Sequence, residues 1–323
     1  MQLDKLFHES PVFLAPMAGI TDAPFRHLVC SFGASAVVSE MVSSEALVRN
    51  SLKTQRRLIA DNALKIVQIV GANPHHMTES ARINESLGAD VLDINMGCPA
   101  RKIVSNESGA ALMKNEDLAV EIVAAIVNAV KIPVTVKMRL GWDAEHINYC
   151  SLAKKFEDVG VKMLTVHCRT RNQMYSGKAD WSAIASLRNN VKIPYLCNGD
   201  IKTPENAIKS MELSGAYGIM IGRATLGRPW LLRQIMNFIQ GEKIISTPSL
   251  EEQFNIVMQH FYDTLNFYGE LHGVRVFRKH FCWYSSGLEG ASKFREIINK
   301  SENISFIKDR VRELYEGGFI VKL

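Results

Sequence analysis

The chain has 323 residues, 47% of them hydrophobic and 22% charged, with a formal net charge of +5. This is the balance of a globular protein with room for one large domain and a smaller one. It excludes a disordered chain, and no apolar run reaches transmembrane length, so no membrane partner is expected.

The six cysteines (Cys30, Cys98, Cys150, Cys168, Cys197 and Cys282) are scattered, with no CxxC pair and no metal-ligand spacing. That pattern predicts a cytoplasmic protein without a metal site. The opening MQLDKLFHESPVF has no basic start followed by an apolar core, so no signal peptide is expected. Residues 251–323 hold 10 basic and 10 acidic side chains, leaving 28 against 23 in residues 1–250. The mild basic excess suits a polyanion but does not require one.

Taken in order, short apolar runs alternate with helical segments. The runs are Val12–Ala15, Ala36–Ser39, Lys65–Val70, Val91–Met96, Val134–Leu140, Met163–Cys168, Pro194–Asn198 and Gly218–Gly222. Between them lie amphipathic stretches such as Leu118–Val130, whose acidic Glu116, Asp117 and Glu121 favour a helix start. Near-continuous apolar strands alternating with helices predict a parallel sheet covered by helices. Eight such units in about 225 residues match an α/β fold of the (β/α)8 TIM-barrel type, with a doubly wound open sheet as the competing fold.

After Trp230 the pattern changes. Ser249-Leu250-Glu251-Glu252 reads as a helix start, and further helices are expected at about 273–286, 292–299 and 304–315, punctuated by Gly287, Gly290 and Gly317-Gly318. The expected organisation is a barrel over residues 1–242 and a small C-terminal all-α helical bundle over residues 243–323.

In such a barrel, functional residues sit at the C-terminal strand ends. Those ends carry Pro16-Met17-Ala18-Gly19, Glu40, Gln68, Asn95 with Cys98, Lys137 with Arg139, His167 with Arg169, Asn198-Gly199-Asp200, and Gly222-Arg223. Each alone has a bland reading. Lys137 would be a salt-bridged strand residue, His167 a core histidine, Asn198-Gly199-Asp200 a tight turn, and Cys98 an inert buried thiol. Their recurrence at one end of otherwise apolar strands points to a large polar cofactor. Gly222-Arg223 offers close backbone approach and a guanidinium for a phosphate.

The stretch DINMGCPARK ends a buried strand at Gly97-Cys98-Pro99 and presents a thiol on a turn. Thiols as a class are mostly protonated at neutral pH and can act as acids. Arg101 and Lys102 just beyond would favour a thiolate instead, so the sequence leaves the protonation state open.

The segments FLAPMAGITDAPFR, VSEMV, IVQIVGANP, VLDINMGCPARK, VTVKMRLGW, TVHCRTRNQMYSGKADW, IPYLCNGDI and GIMIGRATLGRPWL together resemble the tRNA-dihydrouridine synthases, most of all their B-type bacterial branch. GVRVFRKHFCWY is similar to the family's RNA-binding tail, so the resemblance spans essentially the whole chain. One departure is Cys168, where a small or hydroxylated residue is expected.

The resemblance implies an oxidoreductase that binds FMN at the barrel mouth and reduces the C5=C6 bond of specific uridines in tRNA. NADPH (or NADH) would be the reductant. Pro16, Met17 and Ala18 would lie along the flavin ring, and Gln68, Lys137 and His167 would meet its polar edge. Asn198, Gly199, Asp200, Gly222 and Arg223 would hold the ribityl chain and phosphate. The flavin would deliver hydride to C6, and Cys98 would protonate C5. Asn95 and Arg139 would contact the base, and Arg169, Arg171, Lys178, Arg275, Arg278 and Lys279 the RNA. The expected partner is tRNA, at a uridine in the D-loop region, met by a monomer. Two other functions stay open at this point: an FMN barrel reductase of a small-molecule pyrimidine or enone, and a non-catalytic RNA-binding protein on the same scaffold.

Overall fold

The computed structural model describes residues 11–34, 36–48, 64–243 and 245–317. Most of the N-terminal stretch read for a leader, and Gly318, lie outside them.

Eight parallel strands form the barrel: β1 (Val12–Leu14), β2 (Ala36–Val38), β3 (Leu64–Val70), β4 (Val91–Met96), β5 (Val134–Arg139), β6 (Met163–His167), β7 (Tyr195–Asn198) and β8 (Gly218–Ile221). A two-residue piece, Val42–Ser43, prolongs the β2 position along β3. β2 bonds to β1 on one side (Leu14↔Val37) and to β3 on the other (Ala36↔Leu64), while β1 bonds to β8 (Phe13↔Met220). No free edge remains in this ring, which rules out the open doubly wound alternative.

The strands are buried on both faces, and the period of two sorts their residues. On β4, Leu92, Ile94 and Met96 pack into the layer between sheet and helices, while Val91 belongs to the cluster inside the barrel with Phe13, Ala36, Val38, Met163, Leu196 and Met220. The same inward rows continue upward into Asp93 and Asn95 on β4, Thr135, Lys137 and Arg139 on β5, and Thr165 and His167 on β6. The barrel floor is therefore apolar and its mouth polar.

The covering helices begin on side-chain caps just past the strand ends. α1 (Ala23–Ser31) is capped by Asp22, α3 (Pro74–Ser86) by Asn73, and α8 (Pro204–Ser214) by Thr203, with α2 (Ser44–Val48), α4 (Arg101–Val104), α5 (Glu116–Ala129), α6 (Tyr149–Asp158), α7 (Leu187–Asn190) and α9 (Leu231–Ile239) completing the set.

Four further helices follow: α10 (Leu250–Tyr268), α11 (Glu270–Tyr284), α12 (Ala291–Ile298) and α13 (Ile304–Tyr315). The Ser249-to-Glu252 start is a reciprocal capping box. Val257, Phe261, Phe277, Phe281, Phe294 and Ile307 give this bundle an apolar core of its own. It docks on the barrel beside the loop after β1. The Phe25 ring lies 5.5 Å from His260 and 5.8 Å from His280, Tyr268 Oη donates to Asp22 Oδ2 at 3.1 Å, and Lys279 Nζ donates to the Gly19 carbonyl.

Candidate active site

The polar strand ends close on a cavity of about 470 Å³ at the barrel mouth. Pro16, Met17, Ala18, Gln68, Asn95, Cys98, Lys137, Arg139, His167, Asn198, Gly199, Asp200, Gly222 and Arg223 all line it. Arg169, Arg171, Lys178, Arg275, Arg278 and Lys279 do not.

A row of buried polar groups leads to the thiol. Asp93 accepts from Thr135 Oγ1 and from Gln68 Nε2, both at 2.6 Å. Gln68 Oε1 accepts from Asn95 Nδ2 at 2.8 Å. Asn95 Oδ1 in turn accepts from the backbone N–H groups of Gly97 (3.1 Å) and Cys98 (2.9 Å). From other sides, Arg139 Nε donates to the Gly97 carbonyl at 2.7 Å and Ala110 N–H donates to the Cys98 carbonyl at 3.1 Å. Gly109, at φ +60°, backs the turn so closely that a Cβ there would stand 2.9 Å from the Cys98 carbonyl oxygen. The cysteine is thus half-buried on a turn pinned from several directions.

Beside it, Lys137 Nζ donates to Asn198 Oδ1 at 3.0 Å. Burial and the neighbouring Arg139 guanidinium bring the lysine down to about 8. Burial, then the charges of Lys137, Arg139, Arg169 and Arg223, hold His167 well below the usual imidazole range, so it is neutral. Its Nδ1 is buried and has no hydrogen-bond partner within the protein. Arg139 is spent on backbone, with Nη1 on the carbonyls of Thr170 (2.8 Å) and Met174 (2.9 Å).

The far end is built around Asp200, a non-glycine residue at φ +55°. Burial opposes its charge, but the Ala179 N–H and the Arg169 and Arg223 guanidiniums keep its carboxyl below the usual range. Arg223 reaches Asp200 Oδ1 at 3.3 Å and lies 4.6 Å from the centre of the Tyr175 ring, with its side chain 53% exposed.

The six expected RNA contacts divide. Arg169 is only 1% exposed and is spent on the carbonyls of Ser176 (3.0 Å) and Gly177 (2.8 Å) and on Asp200. It braces its own loop beneath the surface. Lys279 turns toward the barrel and Gly19, so it does not share an outward face with Arg275 and Arg278. Those two meet Glu302, at 2.8 Å and 3.7 Å, with Arg278 also on the Ser301 carbonyl at 3.2 Å. Arg171 lies over the Trp142 ring at 4.6 Å, with Lys114 also over that ring at 4.9 Å, and Lys178 is exposed.

The family model for dihydrouridine synthases matches residues 13–315, which is nearly all of the barrel and bundle just described. The chain belongs to the dihydrouridine synthase family. A probable tRNA-dihydrouridine synthase of Rickettsia conorii is 47% identical over 309 residues, covering 95% of this chain and 93% of that one. The tRNA-dihydrouridine synthase B of Pseudomonas aeruginosa is 43% identical over 307 residues, covering 94% and 92%. Among solved structures, a histamine dehydrogenase from Rhizobium shares the barrel at a TM-score of 0.53 and 12% identity, over 78% of this chain and 49% of its own. At that identity the likeness is one of fold. Membership makes this chain an oxidoreductase of the dihydrouridine synthase class. Among the described residues no helix is long and apolar enough to cross a membrane, and no three His, Cys, Asp or Glu side chains are grouped to hold a metal.

Two residues at the site escaped the sequence reading. Tyr175, 52% exposed, hangs over the cavity between Arg223 and Arg139, the latter 5.6 Å from its ring. It sits inside a recognised segment but carries no chemistry that marks it in isolation. Asp93 had a usable signal: a carboxylate in the middle of an apolar strand is buried, and buried carboxylates need partners.

Proposed function

We propose that this family member is an FMN- and NADPH-dependent tRNA-dihydrouridine synthase in which Cys98 is the proton donor to the reduced base. The observation that carries the reading is the convergence on one cavity of a pinned thiol turn, a neutral histidine with a free buried nitrogen, and a Gly-Arg phosphate corner.

The residues present fit a flavin. His167 Nδ1 is a buried polar atom that lacks a partner, Lys137 offers an ammonium beside it, and Gln68 retains one N–H and one lone pair beyond its bonds to Asp93 and Asn95. These groups would hold the polar edge of the ring, with Pro16, Met17 and Ala18 along its side. Asn198, Gly199, Asp200, Gly222 and Arg223 would hold the chain and phosphate. When bound, FMN would supply the hydride for C6 of the uracil, with NADPH as its reductant.

The protein's own work is then to bind, orient and deliver a proton. Arg139 and Asn95 hold the Cys98 turn from two sides, so the thiol meets the base in a fixed position. A base paired or stacked in folded RNA must leave its stack to enter the mouth, at a cost of a few kcal/mol that contacts elsewhere on the RNA offset. Of the six expected RNA contacts Lys178 and Arg275 are the exposed ones, with Arg171 and Arg278 half-buried behind them; tRNA is the substrate in this reading, and a monomer in the cytoplasm suffices.

The test compares substrates. Purified enzyme with NADPH should reduce a uridine within unmodified tRNA and leave free uridine and simple enones nearly untouched. Equal turnover of free pyrimidine would instead make this a small-molecule reductase.

A further inference from the structure

Asp93 lies one layer below the cavity, touches neither expected ligand, and has no part in the reaction proposed above. It is 2% exposed in the middle of β4. Burial pushes its carboxyl up, opposed by its two hydrogen bonds and by Lys137.

The directions of the hydrogen bonds around it carry the argument. An amide side chain can be turned end for end, so Gln68 and Asn95 each have two possible settings. An ionised carboxylate only accepts, so Asp93 forces Gln68 to present Nε2 downward. Gln68 Oε1 then faces Asn95, which must present Nδ2. That leaves Asn95 Oδ1 for the Gly97 and Cys98 N–H groups, which only donate. Both ends of the row are groups without a choice, and both demand the same setting. The 2.6 Å contact from Thr135 has the length of a hydroxyl on a charged acceptor.

We propose that Asp93 is a positioning residue: it orients the Gln68 and Asn95 amides and through them fixes the Cys98 turn. The part of this that concerns proton delivery rests on the reading of Cys98 given above; the positioning itself does not.

The substitution series separates acceptor from charge. Asp93→Asn keeps an oxygen for Gln68, because its NH₂ can face Thr135, whose hydroxyl also accepts. Asp93→Val offers Gln68 no acceptor and leaves little room for water. The direct readout is the alkylation rate of Cys98 by iodoacetamide in the holoenzyme, resolved from the other cysteines by peptide mass spectrometry. The valine variant should react about 5- to 30-fold faster as the turn loosens, while the asparagine variant stays within about two-fold of wild type. Ile126→Val, a barrel-core change outside the site, controls for lost stability and should leave the rate unchanged. Should the valine variant not fold, Asp93→Ala carries the same comparison.

Equal rates in the valine, asparagine and wild-type proteins would overturn the proposal. So would equal acceleration in valine and asparagine variants, which would make the effect one of charge, or acceleration in the Ile126 control, which would make it one of general stability. A second arm follows oxidation of the reduced enzyme by tRNA, which should slow in the valine variant and recover in the asparagine one. If the thiol responds as expected while this rate does not, the positioning stands and the proton-donor reading of Cys98 fails.

Discussion

Lys279, on α11 of the C-terminal bundle, donates its ammonium to the carbonyl of Gly19, in the loop that follows β1 and lines the cavity through Pro16, Met17 and Ala18. The bundle therefore braces the mouth of the barrel directly. Tyr268 on Asp22 and the Phe25 ring packed against both His260 and His280 reinforce the same contact.

Lys279→Met should accordingly behave as a structural variant. We expect it to cost about 0.5–1.5 kcal/mol of stability, the usual net value of one hydrogen bond, and to leave the salt dependence of tRNA binding unchanged. Lys178→Ala and Arg275→Ala should do the reverse. Each should flatten the slope of log affinity against log salt by roughly 0.7–0.9 with little loss of thermal stability. Salt titrations of tRNA binding with melting curves alongside decide it; a flattened slope for Lys279→Met would put that ammonium on the RNA after all.

Arg223→Ala should weaken FMN retention by about 1.5–3 kcal/mol, the range of a charge-assisted contact. The variant also removes a partner from Asp200 and from the Tyr175 ring, so part of the loss is in the protein's own corner. Equilibrium dialysis of the flavin measures it, and wild-type affinity would remove Arg223 from the phosphate site.

The barrel–bundle contact should be acid-sensitive. Burial brings His260 down to about 3 and, with the charges of His260 and Lys279 added, holds His280 well below its ordinary value. Each binds its proton readily in the unfolded chain, near pH 6.5, but not in the folded one, so the unfolded state takes up more protons as pH falls. Stability should decline below about pH 6.5 by up to about 1.4 kcal/mol per pH unit for each histidine. Asp22 works the other way. Burial raises its carboxyl to about 6, so the folded state binds the extra proton between about pH 6 and 4 and gives back one such increment there. Two histidines against one aspartate leave a net loss. Melting temperature should fall from pH 7.5 to pH 5.5, and His280→Phe should shrink that fall markedly; a pH-independent melting temperature would contradict it.

Much of this was legible in the sequence because barrel strands are read with two rulers. Apolar runs spaced one helix apart gave the eight positions, and the C-terminal ends of those runs marked Gln68, Asn95, Lys137, His167 and Asn198. What the sequence could not supply was direction within a segment. Arg275, Arg278 and Lys279 share helical spacing, yet α11 lies against the barrel, so Lys279 points inward to Gly19. Arg169 looked like one more loop cation, but the loop folds over it and Asp200 neutralises it below the surface. Spacing along a chain identifies which residues can share a face; only packing decides which face meets solvent.

Cys98→Ala tests the account most directly, by following its two half-reactions separately with FMN-loaded enzyme. NADPH should reduce the flavin at the wild-type rate, because the thiol acts only on the base. Oxidation of the reduced enzyme by unmodified tRNA, scored by dihydrouridine formed, should fall by about 10²–10⁴, the range for loss of a general acid. Wild-type dihydrouridine formation by the alanine variant, or an equal loss in the NADPH step, would contradict the assignment of Cys98 as the proton donor to the base.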